Sequence, residues 1–393
     1  MKTRSLLTRI ATYLTLVGVA LVMLFPFFSM LAGALKTPDD TFTYPPRILP
    51  RSPAVTEIDG EPEELYLLDV PGRGDTSVYL AETGVAAGLF VNSAGTELAW
   101  PLEFTTPTGD TVDGPDGEPL EVFVVERGDD AVELALLRET AVGRFVAVDD
   151  PTLETYAVAR TAARDEFVDP QWSNFEQILE LSSFDRSLTN TILVTVLVVG
   201  GTLFTSIMGG YAFSRVRFPG RDAIFVAYIG SIMIPFVVLI VPLFRLMVSL
   251  GWVNTLGSLV WPFLFNAYGT FLIRQFFVSI PMELEEAARV DGASRWTILW
   301  RIYVPLSLPA IATLSTFLFL HAWNSFIWPL VSINLGNTDD FVLTLELQTL
   351  NGQAGQGPNL VFAAIVLSVI IPFTVFALAQ RYFVENVATS GIK

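Results

Sequence analysis

The sequence predicts a multi-pass membrane protein: all-α in its spans, with six spanning helices and an inserted extracytoplasmic β-rich segment. Three observations carry this expectation. Hydrophobic residues make up 52% and charged residues 16% of the 393, mean hydropathy is +0.52, and a soluble domain carries about 25% charge. Six charge-free windows each reach the ~18 residues that cross a bilayer as helix. The acidity is concentrated in one place: positions 51–168 hold 25 acids against 7 arginines and no lysine, a net of −18 in a chain whose total is −17.

Composition also excludes several functions. An acidic chain lacks the basic face that binding to nucleic acid requires. There is no cysteine and one histidine, so thiolate chemistry and multi-His or Cys-ligated metal sites are ruled out. The three lysines, Lys2, Lys36 and Lys393, do not follow a Gly-rich loop, so a phosphate-binding loop of the nucleotide-hydrolase kind is absent.

The windows run Ile10–Leu35, Leu188–Ser214, Ala223–Phe244, Leu246–Ile273, within Ile302–Thr338, and within Leu347–Gln380. The first follows Lys2, Arg4 and Arg9 as a signal peptide's apolar region would. Its length and the lack of a small-residue cleavage site read instead as a retained helix. Basic residues set the orientation. The N-terminus is basic, and so are the loops carrying Arg215, Arg217 and Arg221, and Arg274, Arg289, Arg295 and Arg301. These lie in the cytoplasm, as does the C-terminus, and residues 36–187 lie outside it. Arg245 is placed near the outer end of the third span. Pro235, Pro242, Pro262 and Pro372 are expected to kink their helices.

Between the first two spans, short β-branched and aromatic runs alternate with Gly, Pro and Asp turns. The runs are 64–70, 77–82, 88–93, 97–104, 121–126, 131–139 and 142–148, a pattern that suggests a small β-sandwich or barrel. The domains are therefore 1–50, a first helix with its flank; 51–168, the acidic insertion; and 169–393, the five-helix core. Asp110–Glu118 is acid-rich but lacks EF-hand spacing. The insertion reads either as a solvated decoration or as a docking surface for an external partner.

The loop at 279–305 carries the most information. Pro281 suits a helix start and Glu283, Glu285 and Glu286 its first turns. Ala287 and Ala288 permit close approach. Gly292 suits a left-handed helix end, and Ser294 can cap a second helix. This is a rigid helix–turn–helix, a form suited to docking. Glu286-Ala287-Ala288, three residues, Gly292, nine residues, then Ile302-Tyr303-Val304-Pro305 resembles the EAA loop of ABC importer permeases, with Val304 in place of Leu. Asp291, Ala293 and Arg295 fall within the same run. Trp323-Asn324-Ser325-Phe326-Ile327-Trp328-Pro329-Leu330 and Gln380-Arg381-Tyr382-Phe383-Val384 resemble the MalG-like carbohydrate subunits, as does Ala34-Leu35-Lys36-Thr37-Pro38. The resemblance covers residues 1 to about 50 and 170–393. The insertion and the tail Ala388–Lys393 depart from it.

The resemblance implies a six-helix ABC importer transmembrane domain that imports a sugar, oligosaccharide or related polyol. It implies a second, MalF-like permease, a homodimeric ABC ATPase and an extracytoplasmic solute-binding protein as partners, in the cell (inner) membrane. ATP and Mg²⁺ would be bound by the ATPase, with no cofactor in this chain. Glu286, Ala287, Ala288, Asp291, Gly292, Ala293 and Arg295 would form the ATPase-coupling site. No catalytic residue and no metal ligand is expected, because Glu286 and Asp291 have no second catalytic group beside them. His321, Asn324, Trp323, Asn266 and Tyr268 are candidates for the substrate path. An intramembrane polar group invites that reading, and bonding between helices explains such groups equally well. The rival reading is a membrane-anchored sensor or scaffold whose β-domain binds a ligand.

Overall fold

The computed structural model describes residues 2–390 apart from 72, 93–95, 115–117, 128–129, 181–182 and 353–356, and their side chains except at 2–7, 126–130 and 381–390. The tip of the Asp110–Glu118 turn, the Gly-rich stretch at 353–356, the side chains of the Gln380–Val384 run beyond Gln380 and the end of the C-terminal tail lie outside the described residues. The chain divides into two compact units, Met1–Thr41 with Gln171–Lys393, and Phe42–Pro170.

The first unit is helical. Its long helices are α1 (Lys2–Ala34), α4 (Phe184–Arg215) and α15 (Pro358–Ser390), with the short α2 (Pro38–Thr41) and α3 (Ser173–Glu180) between the first two. Each long helix contains a stretch apolar and long enough to cross a membrane. Side chains from Ile10 to Phe28 on α1 are exposed, as expected of a helix facing lipid. Three further candidate spans are bent pairs. Helix α5 (Arg221–Gly230), with the turn through Met233, meets α6 (Phe236–Leu250) at 102°. Helix α7 (Leu256–Val260), with the turn through Phe263, meets α8 (Ala267–Ser279) at 42°. The stretch Arg295–Leu306 meets α12 (Leu308–Trp323) at 79°. The helices α13 (Ile327–Ser332) and α14 (Leu343–Gly352) lead into α15.

Helix ends therefore do not coincide with the ends of the charge-free windows. Ile234, before Pro235, is extended at ψ 114°, as the clash with a following proline ring requires. Gly251 ends α6 in the left-handed region at φ 69°. Arg245 thus lies in the second half of α6, five residues before its end, and is exposed. Charges delimit what can enter lipid, whereas Pro and Gly delimit what can be helical. Pro242 and Pro372 sit inside continuous helices.

Helix α4 packs closely on α8. A Cβ at Gly210 would come within 2.7 Å of Ile273 Cγ2 and 3.1 Å of the Arg274 amide nitrogen; one at Gly209 would lie 2.9 Å from Thr270 Cγ2. In lipid, apolar surface supplies no force between helices, so small residues and tight contact do. Three apolar clusters follow, centred on Trp328 with Met247 and Val194, on Tyr303 with Phe277 and Leu299, and on Trp323 with Ile178 and Phe184.

The second unit is β-rich. Strands β1 (Arg51–Pro53) and β10 (Glu166–Val168) pair at its two ends, and Glu166 bridges Arg47 and Arg51. The other strands form one antiparallel sheet: β2 (Val55–Ile58), β3 (Glu61–Val70), β4 (Gly74–Val91), β5 (Glu97–Pro101), β6 (Thr105–Asp113), β7 (Pro119–Arg127), β8 (Asp130–Ala147) and β9 (Glu154–Ala157). The order is β2-β3-β4-β8-β7-β6, with β5 on β4 and β9 on β8. Asp59 and Gly60, at φ 52° and 86°, make the tight turn between β2 and β3 that an Asp-Gly pair favours.

Two of the strands are longer than the expected short runs. Run 77–82 and residues 88–91 of the next run belong to one strand, β4, and 131–139 and 142–148 fall almost wholly in β8. The register between them shifts at Leu80/Glu82, Thr83/Val85 and Leu89/Phe90, yet pairing continues. A bulge bends a strand without ending its ladder. Strand β6 is exposed along nearly its whole length and carries Pro107 next to a register shift. An edge strand needs no apolar face and tolerates proline, so periodicity could not reveal it. Trp100 against Tyr156 (ring centroids 5.2 Å) and Tyr66 against Phe145 (5.0 Å) mark its two cores.

Candidate functional site: the helical loop after α8

Helix α8 stops at Ile280, whose ψ of 130° leads into the extended Pro281. Helix α9 (Met282–Val290) follows, with Glu283 and Glu285 in its first turn, where acids complement the helix dipole. Its C-terminus is locked. The Ala293 amide donates to Ala288 O at 2.9 Å and the Gly292 amide to Arg289 O at 3.0 Å, while Gly292 is at φ +79°. This is the paired pattern of a Schellman turn, with Ala288 and Ala293 half-buried on one side as its apolar contact. Ser294 then caps α10 (Arg295–Ile298), accepting from the Thr297 amide at 3.1 Å. A π-helical turn, Leu299–Tyr303, and the short α11 (Val304–Leu306) lead to α12.

Helix periodicity sorts the side chains into two faces. Glu283, Glu286, Ala287 and Val290 form an exposed stripe, with Val290 at 88%. Asp291, Gly292 and Arg295 are exposed as well. On the other face Glu285 is 1% exposed. Its Oε2 accepts from the Tyr303 hydroxyl at 2.7 Å and its Oε1 from Arg289. A buried carboxylate needs such partners. Arg215, at the end of α4, lies over the Tyr303 ring at 5.0 Å and donates to the carbonyls of Phe277 and Ile280, which end α8. Tyr211, Phe277 and Tyr303 pack edge to face, with centroids 5.2–6.4 Å apart.

The loop is thus a stiff, outward-facing helix bound to the bundle through one buried carboxylate. Sequence reasoning missed Glu285, Tyr303 and Arg215 as members of the site. The available signal was Glu285 four residues before Arg289, about 100° round the helix from Glu286.

The substrate-path candidates are placed differently from one another. His321 and Trp323, at the end of α12, line a small pocket with Thr191, Phe263, Ser325 and Trp328. Its free volume is about 20 Å³, room for a single water. The His321 ring meets Phe263 edge-on at 6.2 Å, and Trp323 is buried and stacked on Phe319. Asn324 is exposed and donates to Leu320 O at 2.9 Å. Asn266 caps α8, accepting from the Gly269 amide at 2.8 Å, and Tyr268 is exposed. Neither of these two lines the pocket. Trp328, whose Nε1 donates to Ser258 O at 2.9 Å, does line it and had been singled out only as part of a motif.

Comparison with known proteins agrees with this arrangement. Residues 201–389 match the family described as binding-protein-dependent transport system inner membrane component. The arabinooligosaccharides transport system permease protein AraQ of Halalkalibacterium halodurans is 33% identical over 204 residues, 52% of this chain and 72% of that protein. The sn-glycerol-3-phosphate transport system permease protein UgpE of Pectobacterium atrosepticum is 30% identical over 263 residues, 65% of this chain and 92% of that one. Among solved structures, a bacterial ABC transporter involved in import of the acidic polysaccharide alginate aligns with a TM-score of 0.51 at 29% identity, covering 55% of this chain and 81% of the other. The fold and the loop define a membrane subunit of an ABC importer. The chain belongs to the binding-protein-dependent transport system inner membrane component family, as the EAA resemblance implied. It is a permease and a non-enzymatic component of its transporter.

Proposed function

We propose that this permease moves a carbohydrate or related polyol by alternating access, in a path shared with a second, MalF-like permease. A homodimeric ABC ATPase binds ATP and Mg²⁺ and docks on the stripe Glu283–Glu286–Ala287–Val290. Closure of the ATPase dimer draws the two docking helices together and rocks the spans. An extracytoplasmic solute-binding protein delivers substrate from the other side. The chain crosses the cell (inner) membrane six times when each bent pair counts as one span. Both termini are cytoplasmic, and residues 36–187, with the β-unit, are outside. The observation that carries the docking role is the locked helix at 282–293, whose outward face pairs two acids with a nearly bare Val290. The names of the relatives, which transport arabinooligosaccharides and sn-glycerol-3-phosphate, support the substrate class.

The test is capture from native membranes through a C-terminal tag, followed by mass spectrometry. Recovery of an ABC ATPase, a second permease and a solute-binding protein is expected, and the ligand of the last identifies the substrate. Recovery of the chain alone, or with a signalling kinase, would overturn the assignment.

A further inference from the structure

We propose that Glu285 is a two-position latch: its carboxylate is held by Tyr303 in the conformation described here and passes to Tyr211 when the docking helix moves. The inference rests on the docking role assigned above and adds the route by which movement of α9 reaches the spans.

Glu285 is the one acid of α9 that is buried, and the face carrying it turns toward the bundle. One phenol, that of Tyr303, donates to it at 2.7 Å. A second phenol lies beside the first, the ring centroids of Tyr211 and Tyr303 being 5.4 Å apart. Tyr211 is 6% exposed, and its hydroxyl has no hydrogen-bond partner among the described residues. A buried hydroxyl without a partner is costly, and such a group is explained when another conformation satisfies it. The two phenols belong to different elements. Tyr303 closes the π-helical turn that feeds through Ser307 into α12, whose far end carries His321 and Trp323 at the pocket. Tyr211 lies on α4, which lines the same pocket through Thr191, Val194 and Val198. Bonded to Tyr303, the docking helix is coupled to α12; bonded to Tyr211, it is coupled to α4. An exchange between two discrete partners gives the bistable element that a transmitted motion requires, and π-turns are frequent at such places. Glu285 is therefore a positioning residue: it acts on the path through the helices it binds.

The test uses the whole importer, reconstituted with its ATPase. This chain has no cysteine, so Ser325→Cys, in the pocket wall, gives it a single maleimide-reactive site, and the labelling rate of its gel-resolved band reports pocket opening with and without ATP plus vanadate. Retention of the ATPase is measured in parallel. Tyr303→Phe is expected to shift the nucleotide-free rate at least threefold toward the trapped value. Tyr211→Phe should leave the nucleotide-free rate unchanged and reduce the ATP-induced change at least threefold. ATPase retention should hold in both. Glu285→Gln, which keeps an acceptor oxygen, should fall between wild type and Glu285→Leu, and it carries the test if Tyr303→Phe does not assemble. A Tyr211→Phe variant that behaves as wild type, or two Phe variants that shift in the same direction, would overturn the latch. Failure of the docking role is separate: it would appear as full ATPase retention by Glu286→Lys with no effect of ATP on labelling in the parent.

Discussion

Gly292→Ala isolates the backbone contribution to the docking helix. Gly292 sits at φ +79°, and a Cβ added there would meet no atom within 4 Å. The substitution therefore brings no clash, only the cost of holding an L-residue in the left-handed region, about 1–2 kcal/mol. Stiffening the opened chain returns about 0.5 kcal/mol. The net is about 1 kcal/mol, or roughly a fivefold rise in the opening of the turn. Because the Gly292 and Ala293 amides close the turn at 3.0 and 2.9 Å, their hydrogen exchange reads that opening directly. In nanodisc-embedded protein, exchange of these two amides should quicken about fivefold in Gly292→Ala. It should quicken less in Gly292→Asn, since Asn tolerates this conformation. Unchanged exchange in the Ala variant, or faster exchange in Asn than in Ala, would refute the strain argument.

Gly210→Ala should destabilise the purified chain by about 1–3 kcal/mol, because its Cβ overlaps Ile273 and the Arg274 amide. Gly200→Ala, with nothing within 4 Å, should not, and tryptophan-monitored thermal unfolding separates the two. Glu286→Lys reverses a charge on the exposed stripe, so it should release the ATPase on affinity purification while leaving the chain in the membrane. In the β-unit, burial and the hydrogen bond to Glu154 at 2.8 Å raise the Tyr156 phenol above its ordinary value near 10. The folded unit holds that proton more tightly than the unfolded chain, so the stabilisation is complete below about pH 10 and declines as pH rises beyond it. Ultraviolet titration of residues 42–170 should show a late phenolate phase that Tyr156→Phe removes.

Linear features were legible in the sequence. Lipid crossing depends on local charge density, and the EAA spacing is a spacing along one helix and its turn, so both could be read without coordinates. The Schellman end at Gly292 and the cap at Ser294 were expected for the same reason: each is a property of a few consecutive residues. What depended on distant partners could not be read. The spacing of Glu285 to Arg289 was visible, but that Glu285 is buried on Tyr303 while Glu286, one position later, is exposed is set by about 100° of helix rotation against a neighbour eighteen residues away.

The same division holds elsewhere. Proline and glycine at 235 and 251 were visible, but the 102° turn between α5 and α6 is a matter of which surfaces the two halves pack against. In the β-unit, the gaps between runs at 83–87 and 140–141 broke the pattern, and only cross-strand pairing shows them to be places where long strands run on. Tertiary structure alone decided that His321 and Trp323 share a pocket. Membrane residence and family came from the chain itself. The partner of each buried polar group came from the fold, because a hydrogen bond satisfied across two helices leaves no periodic trace in either one.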